Sequence, residues 1–271
     1  MELRGSIALV LGGAKGIGKA IGFALARAGA TVLLTYWDWP EEAAAMQEEL
    51  RLLPGNHAAF RIDLRDPHQI AELFATIRAR YGALHILINN IERGGMPVVH
   101  GAYTPEQWEL EMATTLRAKW WVMRSALPLL KEAPAAAVIT FSSIAGLVGR
   151  SGPAGLIFND GYSAANRAVS SWTETWAREG APTVRVNELM LGFFETRHAE
   201  QTRGWGLLSA SQQEAIRRHT LLGRTGTIEE LVKAVFFLLT EATFMTGGVI
   251  RMDGGYVLGG EEIPPMPPGV E

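Results

Sequence analysis

Residues 12–18 read Gly12-Gly13-Ala14-Lys15-Gly16-Ile17-Gly18. They follow an apolar run, Ile7 to Leu11, and open a segment with helical apolar spacing at Ile17, Ile21, Leu25 and Ala28. A buried strand, a glycine turn and a helix N-terminus, in that order, make an anion site. The first helical N–H groups have no partner inside the helix, and the dipole end favours negative charge. Glycines let the backbone turn sharply and let a pyrophosphate approach with no Cβ in the way. The plainer reading is a tight strand-to-helix turn. The strand before and the helix after favour a phosphate cradle.

Outward from this turn, apolar runs alternate with helical segments. Strands are expected at 32–34, 58–62, 84–88, 135–141, 184–189 and 249–252. Helices are expected at 41–53, 67–81, 162–180 and 228–239. A long helix starts after Thr104, with Pro105 at its first position and Gln107 closing a capping box. It carries Trp108, Met112, Leu116 and Trp120 as one stripe. The strands are continuous apolar runs, as a parallel sheet covered on both faces requires. The expected fold is a single-domain, doubly wound α/β sheet of about seven parallel strands, helices on both faces, over residues 1–258. An eight-unit barrel is the alternative. It needs one more unit and leaves the glycine turn after the first strand unexplained. Residues 259–271 form a proline- and glycine-rich tail.

Composition narrows the function. The chain has 271 residues, 48% of them apolar, which allows a sizeable core and argues against disorder. The net charge of −3 gives no reason to expect a nucleic-acid partner or a basic membrane patch. There is no cysteine, so there is no disulfide and no thiolate metal site, and a cytoplasmic protein is expected. The N-terminal residues lead directly into the first strand, with no signal-peptide pattern, and no run is apolar for the roughly 18 residues a membrane span needs.

Ligands of an open parallel sheet sit outside the carboxyl ends of its strands. The polar residues there are Gly12 to Gly18, Asp63, Asn89, Asn90, Ser142, Ser143 and the stretch after Leu189. Any one of them is ordinarily a cap or turn residue. Their joint occurrence at strand ends favours a binding site.

With these residues in place, the chain resembles a short-chain dehydrogenase/reductase over Ile7 to Gly255, and in particular β-ketoacyl carrier-protein reductase-like members. Gly12, Gly16 and Gly18 match the family's TGxxxGxG, with Ile17 inside it, and Asp63-Leu64 match its adenine-side aspartate. Asn89-Asn90 begin its NNAG, Ser143 stands in SSxxG, and Tyr162 opens YxxxK. Gly192 to Thr196, with Phe194 between, match PGxxxT. Gly223-Arg224-Thr225-Gly226 and Met252-Asp253-Gly254-Gly255 match the C-terminal signature. The resemblance implies hydride transfer between a nicotinamide and a small carbonyl or alcohol, with Tyr162 moving the proton and Ser143 holding the oxygen. It also implies a homodimer or homotetramer paired through the Trp108 and Trp172 helices.

The departures bear on the chemistry. Asn166 stands where YxxxK has lysine, and Thr115 where the family has a helix asparagine. A tyrosine of ordinary pKa, about 10, is a poor proton acceptor at neutral pH, and a neighbouring cation corrects that. Asn166 is neutral, and Arg167 points elsewhere on the helix. Leu11, Ile91-Glu92 and Leu191 also depart from the family pattern. A non-catalytic relative that keeps the fold is therefore a second reading. The enzyme reading predicts a slow reaction that Asn166→Lys accelerates. Lys119, four residues after Thr115, is a candidate replacement cation.

Cofactor choice rests on the second strand. Tyr36 stands where NAD-preferring relatives carry an acid, Lys15 can pair with a 2′-phosphate, and Asp38 can serve a ribose diol. The balance favours NADP over NAD. The glycine-rich 144–161 stretch and the 193–222 segment, which carries Trp205, are expected to be flexible lids.

Overall fold

The computed structural model describes residues 1–91, 104–194 and 205–259. Seven parallel strands form one sheet in the order β3-β2-β1-β4-β5-β6-β7. They are β1 (Ile7–Val10), β2 (Thr31–Tyr36), β3 (Ala58–Arg61), β4 (Ile86–Asn89), β5 (Ala136–Ser143), β6 (Val184–Leu191) and β7 (Val249–Met252). The order reverses beside β1, so the cleft between the ends of β1 and β4 is the switch point of a doubly wound sheet. This agrees with the expected fold class and not with a barrel.

The helices are α1 (Gly16–Arg27), α2 (Pro40–Arg51), α3 (Pro67–Tyr81), α4 (Pro105–Glu111), α5 (Ala118–Leu130), α6 (Ala145–Val148), α7 (Asp160–Gly180), α8 (Ala210–His219) and α9 (Ile228–Thr240). Two apolar clusters fill the two faces of the sheet. One packs α1 and α9 through Ile21, Leu25, Leu231 and Leu238. The other packs α3, α5 and α7 through Ile70, Leu73, Val122, Met123 and Trp176. Among the described residues, no helix is long and apolar enough to cross a membrane.

Two expectations change. The helix after Thr104 is not continuous: Met112–Arg117 is a π-helical segment between α4 and α5. Its wider turn redirects the side chains that follow it. The stripe Trp108, Met112, Leu116 and Trp120 stays partly exposed, and the face turned inward carries Glu111, Thr115, Ala118 and Lys119 instead.

The 144–161 stretch is also not a bare loop. It forms α6 and a tight turn at Gly152–Leu156, and it buries Ala145, Ala154, Ile157 and Phe158. A third cluster joins these residues to Tyr162, Phe193, Trp205, Ile216 and Tyr256. Trp205 is 2% exposed, so it acts as packing rather than as the tip of a lid.

Candidate active site

The turn after β1 is tied to both neighbouring strands. Gly12 N donates to Thr35 Oγ1 at 3.2 Å, Gly13 N to the Thr35 carbonyl at 2.7 Å, and Asn90 Nδ2 to the Leu11 carbonyl at 3.4 Å. Thr35 on β2 thus supplies the hydroxyl that Leu11 lacks. Gly12 has φ 70° and Gly16 φ 57°, where a side chain is strained. At Gly18 a Cβ would lie 2.2 Å from the Gly12 carbonyl oxygen. Among the described residues no side chain caps α1 at Lys15, so its leading N–H groups face the turn. This cradle fits a dinucleotide pyrophosphate.

Beside it lies a cleft of about 260 Å³ walled by Gly12, Tyr36, Asp38, Asp63, Leu64 and Arg65. Arg65 grips Asp63 with Nε–Oδ1 2.8 Å and Nη2–Oδ2 2.6 Å, and this hydrogen bonding holds the Asp63 carboxyl below the usual range. Sequence reading missed Arg65, although its place two residues after Asp63 made it visible. Lys15 contacts Glu42 at 3.1 Å and lies 3.0 Å above the Trp39 ring. Both Lys15 and Glu42 are exposed.

Deeper, at the ends of β4, β5 and β6, a smaller cavity of about 60 Å³ gathers Asn90, Thr115, Ser143, Tyr162, Asn166 and Gly192. Ile17 and Phe194 also border it, and Ile91 lines both spaces. Asn159 caps α7 and accepts from Tyr162 N at 2.8 Å, which fixes the first turn that carries the tyrosine. Sequence reading began this helix at Tyr162 and missed the cap. The Tyr162 ring packs on Phe158 at 5.8 Å, and Phe158 stacks on Phe193 at 5.4 Å. Its burial, at 8% exposure, comes from the third cluster.

Ser143 is buried, and its Oγ accepts from Ala145 N at 3.1 Å. Asn166 Nδ2 donates to the carbonyl of Tyr162 at 2.9 Å, one turn back on its own helix. Arg167 is exposed. Thr115 Oγ1 donates to Glu111. Asn89 is fully buried, and among the described residues its amide has no hydrogen-bond partner. Thr196 and Glu92 lie outside the described residues.

The sequence profile described as Enoyl-(Acyl carrier protein) reductase matches residues 12–257. The chain belongs to the short-chain dehydrogenase/reductase family. It is 30% identical over 262 residues to the 3-oxoacyl-(acyl-carrier-protein) reductase of Thermotoga maritima, covering 95% of this chain and 100% of that one. The Escherichia coli enzyme of the same name is 30% identical over 259 residues, with 94% and 98% coverage. A D-beta-hydroxybutyrate dehydrogenase of Rhizobium meliloti is 28% identical over 263 residues, with 92% and 97% coverage. A solved structure from Sinorhizobium meliloti, described as a short-chain alcohol dehydrogenase, superposes with a TM-score of 0.82 at 25% identity, covering 95% of this chain and 98% of that one. This short-chain dehydrogenase/reductase is an oxidoreductase, and the cofactor of the family is a nicotinamide dinucleotide.

Two buried acids and a buried lysine were not read as a group. Glu188, on β6, is fully buried and accepts from Ser142 and, at 3.1 Å, from Ser170. Burial pushes its pKa up, and the hydroxyls and the charge of Lys119 partly offset that. Its signal was a lone acid in the apolar run Val184 to Leu191. Glu111 is 1% exposed and Lys119 2%.

Proposed function

We propose that this chain is an NADPH-dependent reductase of small carbonyl compounds in which Tyr162 gives the proton and Ser143 holds the carbonyl oxygen. The observation that carries the reading is the shared cavity: a hydroxyl and a phenol at adjoining strand and helix ends, beside a glycine cradle. When bound, the nicotinamide supplies the hydride. Ser143 Oγ donates to the substrate oxygen, and the Tyr162 phenol is the proton source at that same atom. Gly12, Gly16, Ile17 and Gly18 take the pyrophosphate, Asp63 and Leu64 the adenine, and Asn90, Gly192, Phe194 and Thr196 the nicotinamide end. Tyr36 in place of an acid, with Lys15 and Arg65 nearby, favours a 2′-phosphate, and Asp38 tempers that preference. Relatives named for 3-oxoacyl and β-hydroxybutyrate substrates make 3-oxo thioesters and 3-oxo acids the first compounds to test. We further propose a homodimer or homotetramer.

The test pairs binding with turnover. NADPH at 100 times its Kd is expected to stabilise the protein by about 2.7 kcal/mol, and NADH at the same concentration by less. Tyr162→Phe is expected to keep that shift and to lose about 10²- to 10⁴-fold in kcat, read as NADPH consumption. A shift with no turnover on any carbonyl would favour the non-catalytic reading. Absence of any shift would remove the cofactor assignment.

A further inference from the structure

Lys119 is an unusual residue to find inside a core. Its side chain is 2% exposed, and lysine is almost never fully buried without a partner. Nζ donates to the carbonyl of Ile91, the residue that lines both the cofactor cleft and the inner cavity. Lys119 itself lines that inner cavity with Tyr162, Ser143, Asn166 and Thr115. The π-helical segment Met112–Arg117 ends two residues before it, and such segments re-aim the side chains that follow. A carboxyl makes the cation tolerable: Glu188, on β6, feels its charge and accepts from Ser142 of the cavity wall. A buried charge persists when it is compensated in this way.

From this placement we infer that Lys119 is the positioning cation for Tyr162, reaching the cavity from α5 in place of a lysine at position 166 on α7. The inference rests on Tyr162 being the proton donor. In reduction the phenol O–H bond breaks as an O–H bond forms on the substrate oxygen, and a phenolate is left until solvent returns a proton. An ammonium on the wall of the same small cavity, directly or through one bridging water, favours that phenolate. Asn166 contributes no charge, and its amide is held by the Tyr162 carbonyl. Among the described residues, Tyr162 from α7 shares the cavity wall with Lys119 and Glu188 from β6 feels its charge, while Glu111, at the end of α4, is held by Thr115 one turn before Lys119.

The test reads Tyr162 itself. The protein is labelled with 3-fluorotyrosine and titrated by ¹⁹F NMR, with Tyr162→Phe assigning the signal. Tyr256, whose phenol burial pushes up to about 12, is the internal reference for a buried tyrosine. In the wild type the Tyr162 signal is expected to titrate well below that of Tyr256, and in Lys119→Met at least tenfold higher in pH-dependent proton affinity than in the wild type. Lys119→Arg is expected to stay near the wild type. In turnover, Lys119→Met is expected to lose at least tenfold in kcat with KM for NADPH held, and its kcat–pH profile should move with the fluorine titration. Asn166→Lys is expected to raise kcat at least tenfold more in the Lys119→Met background than in the wild type.

A wild-type Tyr162 that titrates with or above Tyr256 overturns the inference with no variant needed. An unchanged Tyr162 titration in Lys119→Met overturns it too, as does an equal gain from Asn166→Lys in both backgrounds. The last result would make Asn166 a simple lesion. A protein that reduces no carbonyl would remove the proposed function, and the fluorine titration would still decide whether Lys119 governs Tyr162.

Discussion

At Gly18 there is no room for a side chain, because a Cβ would sit 2.2 Å from the Gly12 carbonyl oxygen. Gly18→Ala should therefore push α1 away from the turn, at a cost of about 1–3 kcal/mol for overpacking. The N–H groups that would cradle a pyrophosphate move with it. The expected outcome is a lower melting temperature and no further rise on adding NADPH. An unchanged melting point with a full NADPH shift would show that the turn tolerates the methyl group. The glycines, Ser143 and Tyr162 were legible as residues because each is fixed by local spacing. Lys119 was legible only as a candidate cation four residues after Thr115; that it lines the same cavity as Tyr162 is set by the sheet order β4-β5-β6 and by a π turn that no apolar period reveals. Glu188 stood in plain view as an acid inside an apolar strand. Its sequence position alone does not name the partners, Ser142 and Ser170, that keep it there.

One helix start was legible in full. Thr104 and Gln107 form the capping box their spacing predicts. The same device at Thr227 and Glu230 starts α9, and there Glu230 also takes a two-pronged grip from Arg224, at 2.7 and 3.0 Å. That grip first, and the cap second, hold the Glu230 carboxyl down at about 2, against an ordinary 4.5. A depressed carboxyl pKa stabilises the fold above the unfolded value, and that contribution is lost as pH falls from about 4.5 towards 2. Both side chains are about half exposed, so solvent screening limits the effect to about 1 kcal/mol. Glu230→Gln should lower the melting temperature at pH 7 by about 2–4 °C. The difference from wild type should shrink steadily below pH 4.5. A deficit that stays constant down to pH 3 would mean that the carboxylate charge plays no part. Where elements were misread, the cause was tertiary. The glycine-rich stretch after Ser143 looks mobile by composition, yet Ala154, Ile157 and Phe158 find a core made by residues far along the chain.

At the scale of the whole molecule, the doubly wound class followed from the continuous apolar strands and the strand–helix alternation, but the assembly rests on a surface. Trp108 is 39% exposed, and Met112, Leu116, Trp120, Trp121 and Trp172 are partly so. Trp176 differs: it is buried in the chain's own core at 4% exposure and has nothing left to offer a partner. Trp120 and Trp121 lie edge to face at 4.7 Å, and Trp172 leans on Trp176 at 5.5 Å, so the outer rings are backed by a rigid layer. Aromatic side chains bury about 150–250 Å² each, and a stable interface needs about 1,600 Å² in total. The exposed parts of these side chains supply only a share of that area, and the rest must come from the helix faces around them. The face is therefore expected to close on a second copy by a two-fold axis, in which the same patch meets itself. Light scattering should report two or four times 29.5 kDa at micromolar concentration. Leu116→Glu, which puts a charge on that face, should give 29.5 kDa with the fold intact by circular dichroism. A wild type that scatters as a monomer would leave the tryptophan face without a partner and refute the pairing. A Leu116→Glu variant that stays dimeric would move the interface elsewhere on the molecule.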